Sequence, residues 1–375
     1  MSSLLNWFCI QNQPVTAVIH DRTYYKHMKR IIMLCLSAGI QKTISFECLT
    51  PGEVNRSKSY QYDASGKAIN SARVLMQLVQ LSCASGAGSV ESAAANSHAA
   101  GKDSSVAASV SVVCPLGERN KDFFLEMANN DGLNVKVVPI PGFTRECCTL
   151  IDTKSGQTTE LVVEEPVLEC DSAPYEEKLM NLLLAELGLD DGEKADALLF
   201  SGSRPKFWSA GIIKRIAAAA KENGILFMAD FRGNDLLSIL DEYTPDIIKI
   251  NEDEFWATFS TTSPATTGNG NTNSASTPQT EEQLSRAITE TSRRLNNIVV
   301  VTRGSKPTLA AEKGTPYNSP SECVKAVNTI GCGDAYNAGF LYEYLATKDM
   351  EKSLEKGKWC ASRNAESLRP GVLHD

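Results

Sequence analysis

A glycine-rich segment near the end of the chain contains the residues best suited to chemistry. Within Asn328–Phe340, a turn containing Gly331, Cys332 and Gly333 leads directly into an amphipathic stretch. The first backbone N–H groups of a helix have no partner inside the helix, so such a turn suits an anionic phosphoryl group. Asp334 follows the turn and is placed to accept a proton from an attacking hydroxyl. A glycine turn that only begins a helix explains the same spacing equally well.

Four short apolar runs alternate with helical patterns and indicate the elements that must position this segment. The runs predict strands at Ala197–Phe200, Ile225–Ala229, Asp246–Ile250 and Ile298–Val301. The segments between them, including Ile212–Glu222 and Glu281–Leu295, have helical spacing and helix-forming residues. Strands that alternate with helices imply right-handed crossovers and a parallel sheet covered on both faces.

Polar clusters follow each of these predicted strands. They are Gly202–Pro205, Asp230, Asn251 with Glu254, and Thr302–Gly304. In open α/β sheets, ligands bind beyond the carboxyl ends of the strands. We therefore expect all four clusters to lie along one edge of the sheet.

The rest of the pattern predicts a lid and two inserts. Segments 43–63 and 136–163 alternate apolar and polar residues and contain turn signals, so they predict antiparallel strands of a small sheet at the ligand edge. Segments 84–111 and 260–280 have low complexity and few large apolar residues, which predicts flexible surface inserts.

Composition and charge exclude several classes of protein. The 375 residues are 42% hydrophobic and 22% charged, which is ordinary for a globular protein and excludes disorder throughout. The net charge of -8 is spread along the chain, so a small-molecule partner is favoured over nucleic acid or a membrane. The chain has eleven cysteines, an odd number, and no two of them have the CxxC spacing of a metal site. This pattern favours free thiols in a cytoplasmic protein.

The apolar run Ile31–Ile40 follows basic residues and in this respect mimics a signal peptide. It is too short to span a bilayer, so it predicts the first core strand instead. One large domain is then expected over residues 30–375, with residues 1–29 as an N-terminal extension and Met28 as an alternative start.

The segment around Asp334 resembles the C-terminal signature of the ribokinase-like sugar kinases, the phosphofructokinase B family. By this resemblance, Asp334 is the catalytic base, and the N–H groups of Gly331, Cys332 and Gly333 form the anion hole. The resemblance implies a three-layer α/β sandwich with a mostly parallel central sheet and a small antiparallel β lid. It also implies ATP as co-substrate and Mg²⁺ as cofactor.

Further motifs are similar to one branch of this family, which contains 1-phosphofructokinase and tagatose-6-phosphate kinase. The matching segments are Thr50–Arg56, Tyr62–Leu75, Thr144–Arg145, Gly202–Pro205 and Thr302–Gly304. The branch implies phosphorylation of a sugar phosphate, for example fructose 1-phosphate to fructose 1,6-bisphosphate. Two alternatives stay open: a kinase of an unphosphorylated sugar or nucleoside, and a catalytically weakened homologue that binds a sugar phosphate.

The resemblance also assigns substrate contacts. It places five residues at the sugar: Gln41, Gly66, Lys67, Asn70 and Arg145. Lys67 offers a point charge to the phosphate already on the sugar, and Arg145 offers a bidentate fork. Without the resemblance, each would be interpreted as a solvated surface residue. Gln41 stands where the family has an aspartate, so only neutral hydrogen bonds are available there.

Asn251 and Glu254 are the candidates for holding Mg²⁺. They lie three residues apart at a strand-to-helix junction, where they could bind the ion through water beside the nucleotide phosphates. The same pair also fits a helix capping box, which needs no metal. By the resemblance, nucleotide contacts are expected from Lys249, Thr302, Gly304 and Asn364.

Some residues differ from the family pattern and carry expectations of their own. Ser65 and Ala68 stand where the branch has glycines, which predicts a crowded loop around Lys67. Cys332 replaces an alanine at a helix N-terminus, where the pKa of a thiol tends to fall, so oxidation-sensitive activity is expected. Because an exposed sheet tends to find a cover, a homodimer through the lid is also expected.

Overall fold

Two β-sheets organise the computed structural model, which describes residues 28–57, 59–87, 107–165, 168–190, 192–260 and 280–373. The strands are β1 (Lys29–Leu34), β2 (Gly39–Phe46), β3 (Ser59–Ser65), β4 (Ala108–Gly117), β5 (Asn134–Ile140), β6 (Glu146–Asp152), β7 (Gln157–Leu161), β8 (Ala197–Ser201), β9 (Leu226–Asp230), β10 (Ile247–Asn251), β11 (Ile298–Arg303), β12 (Lys306–Glu312) and β13 (Thr315–Ser319). The helices are α1 (Lys67–Ala87), α2 (Lys121–Asn130), α3 (Ala173–Glu186), α4 (Gly211–Lys221), α5 (Gly233–Leu237), α6 (Glu252–Phe259), α7 (Glu281–Leu295), α8 (Cys332–Thr347) and α9 (Met350–Ala365).

The large sheet has nine strands in the order β13-β12-β11-β10-β9-β8-β1-β4-β5. Its strands pair in parallel except at one edge, where β12 and β13 are antiparallel. The four strands and two helices predicted from alternating patterns are confirmed as β8 to β11 and as α4 and α7. The parallel registers pair Ser201 with Asp230 and Asn251 with Thr302, so the carboxyl ends of neighbouring strands meet at one edge.

Alternation along the strands divides the core into two layers. In β1, Ile31 and Met33 pack on one face, whereas Ile32 and Leu34 pack on the other. Helices α1, α2, α8 and α9 cover the first face, and α3 to α7 cover the second. This is the expected three-layer α/β sandwich.

The small sheet has the order β3-β2-β6-β7. Its outer pairs are antiparallel, as predicted, but β2 and β6 are parallel, which corrects the expectation of an all-antiparallel lid. The lid is also shorter than predicted, because β5 pairs with β4 in the large sheet. The chain leaves the large sheet after β1 and again after β5, so β2 and β6 enter the lid in the same direction.

Other predicted boundaries move as well. Residues 31–40 form parts of two strands, since β1 ends at Leu34 and β2 begins at Gly39. The predicted insert at 84–111 is shorter, because its ends belong to α1 and β4. Residues 88–106 and 261–279, and the N-terminal residues 1–27, lie outside the described ranges. Within those ranges, no helix combines the length and apolar character needed to cross a membrane.

Candidate active site

A cleft of about 480 Å³ lies where the carboxyl ends of the large sheet meet the lid. Most of the site residues predicted from the sequence line it: Gln41, Gly66, Lys67, Asn70, Arg145, Lys249, Asn251, Glu254, Thr302, Gly331, Gly333 and Asp334. Residues far apart in the chain therefore converge on one space. Of the predicted set, Cys332, Gly304 and Asn364 are not among the lining residues of this cleft.

Asp334 lies in the first turn of α8 and is buried, with 7% of its surface exposed. Its Oδ2 accepts a hydrogen bond of 2.9 Å from Nδ2 of Asn70 on α1. Burial raises the pKa of Asp334 to about 6, and the Asp230 carboxylate acts in the same direction, whereas Lys67 and the Asn70 hydrogen bond oppose it. The carboxylate is therefore ionised at neutral pH but close enough to its pKa to accept a proton, as a general base must.

The turn before α8 depends on a glycine. Gly331 has a φ of 80°, and a Cβ there would come within 3.0 Å of Cβ of Pro370. At the next residues, the Cys332 N–H donates to the Thr329 carbonyl oxygen at 3.3 Å, and Lys249 Nζ donates to the Gly333 carbonyl oxygen at 3.2 Å. The turn thus brings the start of α8, with its positive dipole end, to the cleft.

Two predictions at this turn need correction. Burial raises the pKa of the Cys332 thiol, and the nearby Asp334 carboxylate acts in the same direction, so the expected low pKa is wrong. Asn364 is fully buried beneath the turn, where its Nδ2 donates to the Ile330 carbonyl oxygen at 2.9 Å. Its Oδ1 accepts from the Gly371 N–H at 2.6 Å. Asn364 therefore supports the glycine turn, and this position does not favour the predicted contact with adenine.

Asp230 is a site residue to which the sequence assigned no role. It ends β9, is 1% exposed, and accepts hydrogen bonds from Ser201 Oγ at 2.7 Å and Asn337 Nδ2 at 2.8 Å. Its other oxygen lies 3.5 Å from Lys67 Nζ and 3.8 Å from Lys249 Nζ. Burial alone would raise the pKa of Asp230, but the two lysines lower it below its ordinary value. Its place after a core strand was the available signal, yet only the structure shows its partners.

Lys67 is the first residue of α1, and its ammonium group is influenced by the carboxylates of Asp230 and Asp334. Asp230 raises its pKa, and Asp334 adds to this, so the ammonium stays charged. Gly66 has a φ of 127°, and a Cβ there would approach Cys35 Sγ at 3.0 Å. Ala68 is fully buried in the first turn of α1. Gly66 is therefore a position in this loop that requires glycine, and the predicted crowding at Ser65 and Ala68 stays a prediction.

The end of the cleft beside the lid combines neutral and charged groups. Gln41 is buried and donates through Nε2 to Thr149 Oγ1 at 2.7 Å. Arg145 Nε lies 3.2 Å from the Glu165 carboxylate, which also accepts a close hydrogen bond from Ser37 Oγ. Glu165 was not predicted, because it follows β7 in a segment without a motif. Its carboxylate forms an ion pair with the guanidinium that was expected to hold phosphate.

Asn251 and Glu254 form the capping box that the sequence allowed as an alternative. Asn251 Oδ1 accepts from the Glu254 N–H at 2.8 Å, and Glu254 Oε2 accepts from the Asn251 N–H at 3.0 Å. Both residues also line the cleft. No group of three acidic, histidine or cysteine side chains suited to a metal occurs among the described residues. The pair nevertheless supplies hard oxygen donors, which fits Mg²⁺ held through water and substrate oxygens.

The structure separates the two nucleotide contacts predicted at the end of β11, Thr302 and Gly304. Thr302 lines the cleft. Gly304 lies in the turn between β11 and β12, with a φ of 61° and open space where a Cβ would stand. The intervening Arg303 side chain is 4% exposed and bonds to Glu252 at 3.1 Å and Glu281 at 2.7 Å. It fixes the end of β11 against α6 and α7.

Comparisons with known proteins agree with this geometry. A family model described as pfkB family carbohydrate kinase matches residues 37–371. Phosphofructokinase-2 from Escherichia coli in complex with fructose-6-phosphate is 18% identical, with 90% of this chain and 94% of that chain covered and a TM-score of 0.70. A "Possible 1-phosphofructokinase" from Thermotoga maritima is 16% identical over 92% and 94%, with a TM-score of 0.69. Arabidopsis thaliana ribokinase complexed with ribose and ATP is 18% identical over 92% and 95%, with a TM-score of 0.59. These structures share the fold.

Proposed function

Because this chain belongs to the pfkB family of carbohydrate kinases, we propose that it transfers the γ-phosphoryl group of ATP to a hydroxyl of a sugar phosphate. Membership of the family makes the chain a phosphotransferase that acts on an alcohol group. The resemblance of Thr50–Arg56 and Tyr62–Leu75 to one branch favours fructose 1-phosphate or tagatose 6-phosphate as acceptor.

The buried carboxylate of Asp334 is the observation that carries the proposal. Its pKa of about 6 lets it accept a proton near neutral pH, and the start of α8 lies beside it. In the proposed reaction, the sugar hydroxyl loses its proton to Asp334 as its oxygen bonds to the γ-phosphorus and the bond to ADP breaks. Asn70 holds the carboxylate in place at 2.9 Å.

Charge neutralisation falls to the lysines and the glycine turn. Lys67 and Lys249 both approach Asp230, so their ammonium groups are held at the floor of the cleft. Backbone N–H groups at the start of α8 stabilise negative charge on the transferring group. Closure of the lid would exclude water and limit wasteful hydrolysis of ATP.

Asn251 and Glu254 are the residues proposed to hold Mg²⁺. When bound, the ion neutralises nucleotide phosphate charge and aligns the phosphates for transfer. In the capping box, Oε2 of Glu254 accepts a hydrogen bond from the Asn251 N–H. The Glu254 side chain is only 15% exposed. This fixes the donor atoms at the end of β10, where the phosphates are expected.

One observation favours the alternative of an unphosphorylated sugar or nucleoside. Arg145 is already paired with Glu165, and Lys67 with Asp230, so neither cation is unopposed in the cleft. A second phosphate would have to compete with these carboxylates. The neutral Gln41, bonded to Thr149, would also suit a weakened homologue that binds a sugar phosphate without turnover.

An ATP-consumption assay separates these functions. Fructose 1-phosphate, tagatose 6-phosphate, fructose 6-phosphate and unphosphorylated sugars are compared as acceptors, and we expect a sugar phosphate to give the highest kcat/KM. Asp334→Asn should lower kcat by about 10²- to 10⁴-fold and leave KM nearly unchanged. Asp122→Asn, at a side chain that is 94% exposed, is the matched control and should leave kcat unchanged. Preference for an unphosphorylated sugar supports the first alternative, and binding without turnover supports the second.

We further propose that the protein works in the cytoplasm as a homodimer joined through the lid. The described cysteines, including Cys35, Cys114 and Cys360, are free thiols, which suits a reducing compartment. Large apolar side chains are exposed on and beside the lid, among them Tyr60 at 68% and Val162 at 58%. A second copy of the chain would remove this surface from water.

A further inference from the structure

Arg73 is a buried arginine behind the cleft that the reaction does not use directly. It lies on α1 with 4% of its surface exposed. Its Nη1 donates to Asn70 Oδ1 at 3.1 Å and to the Pro370 carbonyl oxygen at 3.1 Å. Its Nη2 donates to the Ala64 carbonyl oxygen at 2.6 Å, and its Nε lies 2.9 Å from the Asp131 carboxylate. All three nitrogens of the guanidinium are therefore engaged.

These contacts determine how the Asn70 amide can be oriented. A guanidinium only donates hydrogen bonds, so Arg73 can pair with the oxygen of the amide but not with its nitrogen. An ionised carboxylate only accepts, so Asp334 can pair with the nitrogen but not with the oxygen. The observed orientation satisfies both partners, at 3.1 Å and 2.9 Å. In a flipped amide, Nδ2 would face the Arg73 guanidinium, so two donors would meet. Its Oδ1 would face the Asp334 carboxylate, so two acceptors would meet.

We propose that Arg73 is a positioning residue for the catalytic base: its bond to Asn70 Oδ1 holds the amide in the orientation that donates to Asp334. The inference rests on the proposed role of Asp334. It adds a residue that touches no substrate and acts through Asn70, three residues earlier on the same helix.

Arg73 belongs to a network of ion pairs that also contains Asp131, Arg369 and Asp63. Asp131, which pairs with Arg73, also accepts from Arg369 Nη2 at 2.7 Å. Arg369 Nε in turn donates to Asp63 on β3 at 2.6 Å. Loss of Arg369 would remove its ion pairs with Asp131 and Asp63 but would leave the hydrogen bond between Arg73 and Asn70 in place. Arg369 is therefore a natural control for Arg73.

The proposal predicts a change in proton affinity at Asp334. The charged groups that face this carboxylate are Lys67 from α1, Asp230 from β9 and Lys249 from β10, and none of them contacts Arg73 in the structure. The Asn70 hydrogen bond lowers the pKa of Asp334 against the effect of burial. If the amide is no longer held, the ionised form loses this donor and the pKa rises.

The test compares Arg73→Met with Arg369→Met in the full chain. For each protein, the pH dependence of kcat is measured, together with carboxyl-carbon NMR titration in which Asp334→Asn identifies the Asp334 resonance. Arg73→Met should move the acidic limb of kcat and the NMR titration upward by about one pH unit. Arg369→Met should leave both within the error of the wild type.

Several outcomes would overturn the proposal. It fails if Arg73→Met leaves the NMR titration of Asp334 unmoved, or if Arg369→Met shifts it equally, because the effect would then be general loss of packing. Should Arg73→Met not fold, Arg73→Lys replaces it, since an ammonium keeps the charge beside Asp131 but cannot span four acceptors. In an Asn70→Ala background, loss of Arg73 should add no further shift. A wild type without turnover would refute the proposed function, while the NMR titration would still test the positioning.

Discussion

At the scale of single residues, the cleft holds two buried carboxylates whose pKa values are shifted in opposite directions. Asp230 is kept ionised by Lys67 and Lys249, whereas burial raises the pKa of Asp334 to about 6. The first organises the cations, and the second remains able to take up a proton. Neighbouring acids with separated proton affinities are characteristic of sites that perform acid or base chemistry.

The raised pKa of Asp334 means that burial of this carboxylate costs the protein stability at neutral pH. The folded state binds the proton more tightly than the unfolded chain, so this group stabilises the fold at low pH and loses that contribution as the pH rises from about 4 to about 6. Asp334→Asn should therefore raise the free energy of unfolding at pH 8 by on the order of 3 kcal/mol, and by much less at pH 4. Urea unfolding at both pH values measures this.

The exposed Asp122 provides the control for that comparison. Asp122→Asn should change the free energy of unfolding little at either pH, because its side chain is 94% exposed. Equal effects of Asp334→Asn at pH 4 and pH 8 would contradict the assigned pKa.

Glu165 leads to a prediction about substrate affinity. Its carboxylate lies 3.2 Å from Arg145 Nε and competes with any phosphate that approaches the same fork. Glu165→Gln should lower KM for the phosphorylated acceptor several-fold and leave KM for ATP unchanged, as steady-state kinetics would measure. Glu160→Gln removes the same charge from an exposed position on the cleft wall and should have a smaller effect, because water screens it. An unchanged KM in Glu165→Gln would remove Arg145 from the phosphate site.

At the scale of elements, the start of α6 combines a structural and a chemical role. The capping box of Asn251 and Glu254 satisfies N–H groups that the helix leaves free. The same residues present oxygen atoms to the cleft at the carboxyl end of β10. A helix cap and a metal site therefore require the same residue types at the same spacing, which is why the sequence could not separate the two interpretations.

Substitutions at Asn251 can separate them. Asn251→Ser keeps a good cap, whereas Asn251→Ala removes it and should cost about 1 kcal/mol of unfolding free energy. If the amide also helps to hold Mg²⁺, both variants should need more Mg²⁺ for half-maximal activity. Thermal unfolding and Mg²⁺ titration of the rate provide the two measurements. A serine variant with unchanged Mg²⁺ dependence would leave Asn251 as a cap only.

At the scale of the whole molecule, the lid carries apolar surface that the described chain does not cover. Tyr60 and Val162 are 68% and 58% exposed, and Val54 is 76% exposed. Val162→Asp should raise the dissociation constant of the proposed dimer at least tenfold, because a buried charge without a partner is costly. Sedimentation across a concentration series measures the change.

Leu237 is the matched position away from the lid. It is 43% exposed on α5, and Leu237→Asp should leave the association unchanged. A wild type that sediments as a monomer at all concentrations, or equal weakening by both variants, would rule out a dimer through the lid.

The sequence by itself determined the local features of this protein. Hydrophobic periodicity and secondary-structure propensity depend on residues close together in the chain. The strands β8 to β11, the helices α4 and α7 and the glycine turn before Asp334 could therefore be predicted. The motifs around the turn were enough to predict the family, which the match over residues 37–371 confirms.

Only the tertiary structure decided which distant groups meet. Asn70 and Asp334 are 264 residues apart in the chain, and Arg73 and Pro370 are 297 apart, yet each pair is joined by a hydrogen bond. The partners of Asp230 and Glu165, the burial that raises the pKa of Cys332, and the parallel pairing of β2 with β6 are likewise products of packing. Burial and charge are set by neighbours in space, and no local pattern records them.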